Sequence, residues 1–350
     1  MSARLLGIGT ATPTGRLDQA ATAQMVAAIG GVRPSRARAM AHLYEHTGIE
    51  HRSMAIFEGT RQAFYNGTVP DTAERMRTFH RLAPPLAHRA CESALHDANT
   101  DATAITHLVT ASCTGLASPG VDIALIGSLG LSTTTQRVNI GFMGCHAALN
   151  ALRTARAIAL AEPDARVLVC CVELCSLHIQ ASQDNGCPVA DALFADGAAA
   201  CVIGNQEGAN GPTLRRSASI LLPDSLGAMG WTIGPAGFSM VLSPAVPDIL
   251  SRYVKPWVGG VLAEEDLTIN DVKSWAIHPG GPRVLESVAG SLGLPEGATE
   301  ASATILREHG NMSSATVLFI LEKLSQGNIR TPAMALAFGP GLTGEALVLS

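Results

Sequence analysis

A chain of 350 residues that is 47% hydrophobic and 15% charged has material for a large core, in two domains or one duplicated fold, and too little charge to stay disordered. A net charge of −5 without a basic stripe argues against a nucleic-acid binder, and no apolar run reaches the ~18 uncharged residues of a membrane span. Aromatics make up only 4%, so Ala, Val, Leu and Ile must fill the interior.

In chain order, Leu5 to Thr10 reads as a short buried strand and Leu17 to Ile29 as an Ala-rich helix. Arg33, Arg36 and Arg38 form the one notable basic cluster, with His42 and His46 just beyond. They read as a solvated helix face, or as a surface that meets phosphates of an anionic substrate. Phe57 to Pro70 reads as a loop. Thr72 to Asn99 has helical spacing, and Pro84-Pro85 is expected to break it into two helices. Strands follow at Thr106 to Ser112, Arg137 to Ile140 and Arg166 to Val172, with helices at Val121 to Leu129 and Ala147 to Ala161. Asp196-Gly197 reads as a turn before an apolar β-like run ending at Gly204. In the second half, Leu214 to Leu222 is β-like, and Gly227 to Pro247 is an elaborated loop or hairpin. The strand Ser274 to Ile277 leads to a helix at Arg283 to Leu292. A helix at Ser313 to Leu324 and strands at Ala333 to Phe338 and Glu345 to Leu349 close the chain. Alternating strands and helices predict an α/β fold with parallel sheets.

Eight cysteines stand at Cys91, Cys113, Cys145, Cys170, Cys171, Cys175, Cys187 and Cys201. A chain this rich in core needs no disulfide staples, and its opening MSARLLGIG has no signal-peptide pattern, so reduced thiols and a cytoplasmic location are expected. Cys170, Cys171 and Cys175 lack paired CxxC spacing and sit in or beside an apolar run, so they are read as core and no metal is expected.

Three chemically capable side chains stand where a strand meets a turn or a helix begins. Cys145 lies in Gly141-Phe142-Met143-Gly144-Cys145, where the positive end of the following helix favours a thiolate. His278 follows a strand and precedes Pro279-Gly280-Gly281; Asn311 follows Gly310. Each has an ordinary reading: a buried structural cysteine, a satisfied core histidine, a helix N-cap. Together they supply a nucleophile, an imidazole able to hold it as an ion pair, and two donors for an oxyanion.

The blocks GFMGCHAA, WAIHPGGP (Trp275 to Pro282), GNMSSATVLFIL (Gly310 to Leu321) and FGPGLT (Phe338 to Thr343) resemble the signatures of type III polyketide synthases. These are the chalcone-synthase-like members of the thiolase superfamily. LFADGAAA (Leu193 to Ala200) and GIGTATP (Gly7 to Pro13) match as well, so the resemblance covers essentially the whole chain. It implies a duplicated thiolase fold with αβαβα layers and two pseudo-symmetric halves. Residues 1–205 would carry the nucleophilic cysteine, and residues 206–350 the histidine and asparagine. It also implies a homodimer without a cofactor, whose substrates are coenzyme A thioesters, malonyl-CoA and an acyl-CoA starter. Cys145 would take the starter acyl group, and His278 and Asn311 would polarise the malonyl thioester for decarboxylation.

Phe194 matches the family's gatekeeper phenylalanine. Met240 aligns with a second one, Phe238 lies two residues earlier, and Trp231 falls where plant members have a small residue. Cys175 falls near a cavity-lining threonine. Ser118 matches a position that, in plant members, reaches across the dimer into the partner's cavity. Cys113, Gly280 and Gly281 complete the candidate substrate contacts. The family's CoA-binding lysines are not matched one for one near His42 and His46, where the resemblance leaves Arg36 or Arg38 to stand in for them. His146 replaces the phenylalanine that follows the cysteine in many relatives. CCVELCSLHIQ (Cys170 to Gln180) and the strings around Trp231 and Phe238 resemble the bacterial branch that extends fatty acyl-CoA starters, which implies alkylpyrones or alkylresorcinols. A carrier-protein-dependent ketoacyl synthase and a Cys/His/Asn thioester hydrolase are the alternatives.

Overall fold

The strand β6 (Arg166–Leu174) explains why the chain folds in layers. Val167, Val169 and Cys171 pack into one cluster and Leu168, Cys170, Val172 and Leu174 into another, so both faces of the strand are buried. A strand buried on both faces needs a layer on each side, which accounts for the unbroken apolar run. The same alternation places Cys170 and Cys171 on opposite faces, which no shared metal ion could bridge.

The computed structural model describes residues 2–57, 64–65, 69–180, 187–205, 211–327 and 329–350. Up to β6 the order is β1 (Arg4–Ala11), β2 (Arg16–Asp18), α1 (Gln19–Ile29), α2 (Pro34–Glu45), β3 (His51–Ser53), α3 (Thr72–Asp97), β4 (His107–Ser112), α4 (Val121–Leu129), β5 (Gln136–Gly141) and α5 (Ala147–Ala161). After β6 come α6 (Pro188–Leu193), β7 (Asp196–Gly204), β8 (Leu214–Leu221), β9 (Met229–Gly234), β10 (Gly237–Leu242), α7 (Val246–Ala263) and β11 (Ser274–Ile277). The chain ends with α8 (Pro282–Leu292), α9 (Glu300–His309), α10 (Thr316–Gln326), β12 (Ala333–Gly339) and β13 (Thr343–Leu349).

Two main sheets result, five-stranded β1-β7-β6-β4-β5 and four-stranded β11-β12-β13-β8. Their facing sides share one core with α5 and α10, through residues such as Leu149, Leu152, Leu318 and Ile320. The outer face of the first sheet packs on α3, through Leu86, Ala90 and Ala94, and that of the second on α7 and α8, through Leu250, Val254 and Val288. The layers are therefore αβαβα, the expected duplicated thiolase arrangement.

The halves repeat in topology. Read from β1, the first sheet runs antiparallel, antiparallel, parallel, and β8-β13-β12-β11 runs the same way, without a counterpart of β5. This correspondence sets α5 against α10, each entered through a 3-10 turn, Gly144–His146 and Ser313–Ala315. It also aligns Gly141-Phe142-Met143-Gly144-Cys145 with Gly310-Asn311-Met312-Ser313-Ser314, two segments that share only a glycine and a methionine. Gly144 and Ser313 both have positive φ, 78° and 49°.

Three expectations are corrected. Pro84 and Pro85 lie inside the single helix α3 and do not divide it. Buried residues on both sides of the pair, Phe79 and Ala83 before and Leu86 and Ala90 after, hold one face on the sheet. His80 and Arg81, four residues earlier, are exposed, so their carbonyls can bond water. Asp196-Gly197 opens β7 and is not a turn. The helix expected from Leu17 starts at Gln19, because the Asp18 carboxylate accepts from the Ala21 N–H at 2.6 Å. Most of the expected loop Phe57–Pro70 lies outside the described residues.

If α10 is a layer of the shared core, Leu318→Ala should cost about 2–5 kcal/mol in urea unfolding. A loss below about 1 kcal/mol would contradict that packing.

Candidate active site

The Cys145 turn forms where β5 ends and the chain must reverse into α5 against the other half. Gly144 allows this: a Cβ there would lie 2.3 Å from Pro340 Cδ. Reciprocally, a Cβ on Gly339 would lie 2.5 Å from His146 Cδ2, so the turn and the Gly339–Thr343 loop exclude side chains from each other. The Cys113 sulfur lies beneath, accepting from the Gly144 N–H at 3.0 Å.

Asn311 comes to the same place through backbone pairing. Its N–H donates to the Leu193 carbonyl at 2.9 Å, and its carbonyl accepts from the Ala195 N–H at 2.8 Å, so Phe194 and Asn311 form a parallel bridge between halves. Buried Arg52 completes the clamp, Nη1 donating to the carbonyls of Asp191 and Phe194 at 2.8 and 2.7 Å. Asn311 Oδ1 accepts from the Ser313 N–H at 2.9 Å, which leaves the Nδ2 donors for the Cys145 sulfur. Phe194 and Cys175 pack directly on Cys145, with Met240 behind them.

His278 caps β11 and is buried, and neither ring nitrogen has a partner among the described residues. Buried imidazoles are ordinarily hydrogen-bonded, so a buried ring without a partner among the described residues is a functional signal. It lies within electrostatic reach of His146, the residue after Cys145.

The helix macrodipole alone would lower the Cys145 thiol, but burial outweighs it. Burial pushes the thiol up to about 12, the Glu173 carboxyl adds to the rise, and hydrogen bonds from Ser313 and Asn311 oppose it. Burial also drives His278 down to about 3, with His146 adding to the fall. Burial therefore disfavours both a lone thiolate and a lone imidazolium here.

Two buried carboxyl networks tie the turns across the halves. Glu173 of β6 accepts from Ser314 Oγ at the start of α10, from Thr114 Oγ1 at 2.7 Å and from the Cys113 N–H at 3.0 Å. Burial raises its pKa, so the carboxyl beneath the site is biased toward its neutral form. In the opposite direction, His146 Nδ1 donates to Asn150 Oδ1 at 2.7 Å, and Asn150 Nδ2 donates to Glu345 of β13 at 2.8 Å. His146 Nε2 contacts Thr343 Oγ1 at 2.7 Å, and Arg153 pairs with Glu345 at 2.8 Å. Neither network was legible in the motif blocks.

Two cavities adjoin the Leu193-Phe194 segment, and neither is lined by Cys145, His278 or Asn311. The inner one, of about 30 Å³, is lined by Cys175, Phe194, Trp231, Phe238 and Met240, with His178, Gln180 and Asp191 as polar wall. Trp231 and Met240 are cross-strand partners in the β9–β10 hairpin, and Phe238 stacks on His178 at 4.1 Å between centroids. The outer cavity, about 290 Å³, is lined by His46, Leu193, Val246, Gly280, Gly281 and Arg283. Arg283 was missed by the sequence reading, although it directly follows the HPGGP block. Of the four proposed coenzyme cations, only His46 lines this cavity; Arg36, Arg38 and His42 of α2 do not. Cys113 is a floor residue and lines neither cavity. Ser118 is exposed on the loop between β4 and α4 and also lines neither.

Comparison with known proteins agrees with this architecture. The profile of chalcone and stilbene synthases, N-terminal domain, matches residues 1–207, and that of the C-terminal domain matches residues 213–350. The alpha-pyrone synthesis polyketide synthase-like Pks18 of Mycobacterium tuberculosis is 34% identical over 98% of this chain and 89% of its own length. The 1,3,6,8-tetrahydroxynaphthalene synthase of Streptomyces peucetius subsp. caesius is 32% identical over 98% and 91%. Among solved structures, the C-terminal type III polyketide synthase domain of Steely1 from Dictyostelium superposes with a TM-score of 0.92 at 28% identity, covering 100% of this chain and 99% of that one. PKS-I from the brown alga Ectocarpus siliculosus gives 0.92 at 29%, covering 99% and 98%. The chain belongs to the chalcone and stilbene synthase family and is a type III polyketide synthase.

Proposed function

We propose that Cys145 carries the growing acyl chain and that His278 and Asn311 act on both thioesters. The observations that carry this reading are a cysteine hydrogen-bonded by Asn311 and a buried imidazole whose two nitrogens have no partner among the described residues. His278 takes the Cys145 proton as the sulfur attacks the starter thioester, and the leaving coenzyme thiolate takes it back. The malonyl thioester then places its carbonyl oxygen between His278 and Asn311 Nδ2. Loss of CO₂ leaves an enolate held by the same donors, and its carbon attacks acyl-Cys145, releasing the sulfur. Burial favours this step, because a carboxylate costs more in an apolar cavity than neutral CO₂ does.

The outer cavity, with Arg283 and His46 on its wall, is the proposed site of the coenzyme arm, and Phe194 the divider between it and the inner cavity. The apolar wall of Phe194, Trp231, Phe238 and Met240 suits an aliphatic starter, and the relative's alpha-pyrone name favours a lactone product. About 30 Å³ has room for about two water molecules, so a fatty chain enters only if the Trp231–Met240 pair moves. We assign residues 1–205 and 206–350 as the two halves of an enzyme whose condensation chemistry uses no cofactor and which acts in the cytoplasm as a homodimer. Among the described residues the outer edge of β5 has no partner strand, and Leu116, Val138, Phe142 and Met143 are exposed around it, a surface suited to a second copy.

Mass spectrometry of products from malonyl-CoA and an acyl-CoA series should detect triketide or longer pyrones. Cys145→Ala should abolish them, and Asn311→Ala should slow them about 10²–10³-fold. Polyketide from Cys145→Ala would sink the acyl-cysteine mechanism, and thioester hydrolysis alone would favour a hydrolase. In His278→Ala, the pH dependence of Cys145 alkylation should move upward, since no imidazole then takes the thiol proton; an unchanged profile would remove His278 as its partner. Trp231→Gly should raise kcat/KM for the longest starters relative to the shortest, and an unaltered chain-length profile would exclude Trp231 as the limit.

A further inference from the structure

The last turn of α2 carries His42, Glu45 and His46 at positions i, i+3 and i+4, all exposed. That spacing puts the three side chains on one face of a helix. One ligand atom from each lies within 4.8 Å of the others, with ring centroids of the histidines 4.2 Å apart and the Glu45 carboxylate 3.9 Å from His42 Nδ1. Atoms sharing a transition ion at about 2.0–2.2 Å sit no more than about 4.4 Å apart, so small rotamer shifts of exposed side chains close the set.

Two further features point to a cation. His46 Nδ1 donates to the His42 carbonyl at 2.7 Å, which fixes the tautomer and leaves Nε2 with its lone pair outward from that bond. Metal-bound histidines are ordinarily held by such a second bond. The three residues also stand at the negative end of the α2 macrodipole, where positive charge is favoured.

We propose that His42, Glu45 and His46 bind one divalent transition ion of the zinc class. Two imidazoles and one carboxylate suit zinc, cobalt or nickel better than magnesium or calcium. The site is new relative to the sequence reading, which expected no metal and took His42 and His46 as direct contacts of the coenzyme. Three protein ligands leave at least one coordination position for an oxygen. His46 belongs to the wall of the outer cavity, so the ion stands at the rim of that cavity. There it supplies positive charge where the family's lysines are not matched, and its open position takes an anionic oxygen of the coenzyme. This second part rests on the reading of the outer cavity as the coenzyme site; the metal site itself does not.

The test is titration of the metal-free, reduced full-length protein with Co²⁺, followed by visible absorption and calorimetry. One equivalent should bind with d–d bands and no sulfur-to-cobalt charge-transfer band, which separates this site from the cysteines. His42→Gln and His46→Gln should each weaken binding at least tenfold, with far-UV circular dichroism unchanged. Unaltered affinity in the His42→Gln/His46→Gln double variant, a thiolate band, or no binding at all would overturn the site. Saturating Zn²⁺ should tighten coenzyme A binding at least threefold in the wild type and not in the double variant. Cobalt binding without that gain would leave the ion in place and overturn its role toward the coenzyme.

Discussion

The polar first turns of α5 and α10 can be buried between two sheets only if each is satisfied from across the interface. Glu345 and Thr343 of the second half hold His146 and Asn150 of the first, and Glu173 of the first holds Ser314 of the second. An unsatisfied buried polar group costs about 1–3 kcal/mol, so each tie penalises any displacement of one half against the other. The catalytic candidates come from both halves and have no shared secondary-structure element. Their relative placement therefore depends on these ties, on the Phe194–Asn311 bridge and on the Arg52 clamp.

The same burial sets the electrostatics. Water exclusion raises the cost of a lone thiolate and of a lone imidazolium, and under the proposed mechanism the proton leaves Cys145 for His278 only as a thioester arrives. A cysteine held as free thiolate would be open to oxidation between turnovers; one that ionises only with its partner is guarded. Glu173 marks the limit of this dryness. It lies close enough to raise the thiol, and its own burial biases it toward the neutral form against the hydroxyl and amide donors that favour the carboxylate.

Much of this was legible in the sequence because local and global signals agree. The strand–turn–helix around Cys145, the strand Ser274–Ile277 before His278 and the helix Ala147–Ala161 fall where punctuation and periodicity put them. What stayed hidden has physical causes. Helix α7 contains Pro256 and Gly259-Gly260, which mimic a loop, and packing overrides them, as it overrides the proline pair in α3. The duplication is invisible as a period because only Gly and Met are shared between the two turns; sheet order and positive φ at Gly144 and Ser313 reveal it. Glu173 hides in an apolar strand, and Glu345 in a final strand read only for its hydrophobicity. Both act through partners more than 100 residues away, which spacing cannot expose. Of the residues read as coenzyme contacts, only His46 reaches the outer cavity, while Arg283 arrives there from a different half, which spacing along α2 cannot show.

The central claim is that this geometry makes Cys145, among eight thiols, the one that is acylated. Intact-protein mass spectrometry after incubation with an acyl-CoA starter and no malonyl-CoA tests it directly, followed by peptide mapping. The account predicts one acyl group per chain, on the peptide carrying Cys145, and discharged when malonyl-CoA is added. Acylation of Cys113 or Cys175 instead, or a Cys145 adduct that malonyl-CoA does not discharge, would contradict it.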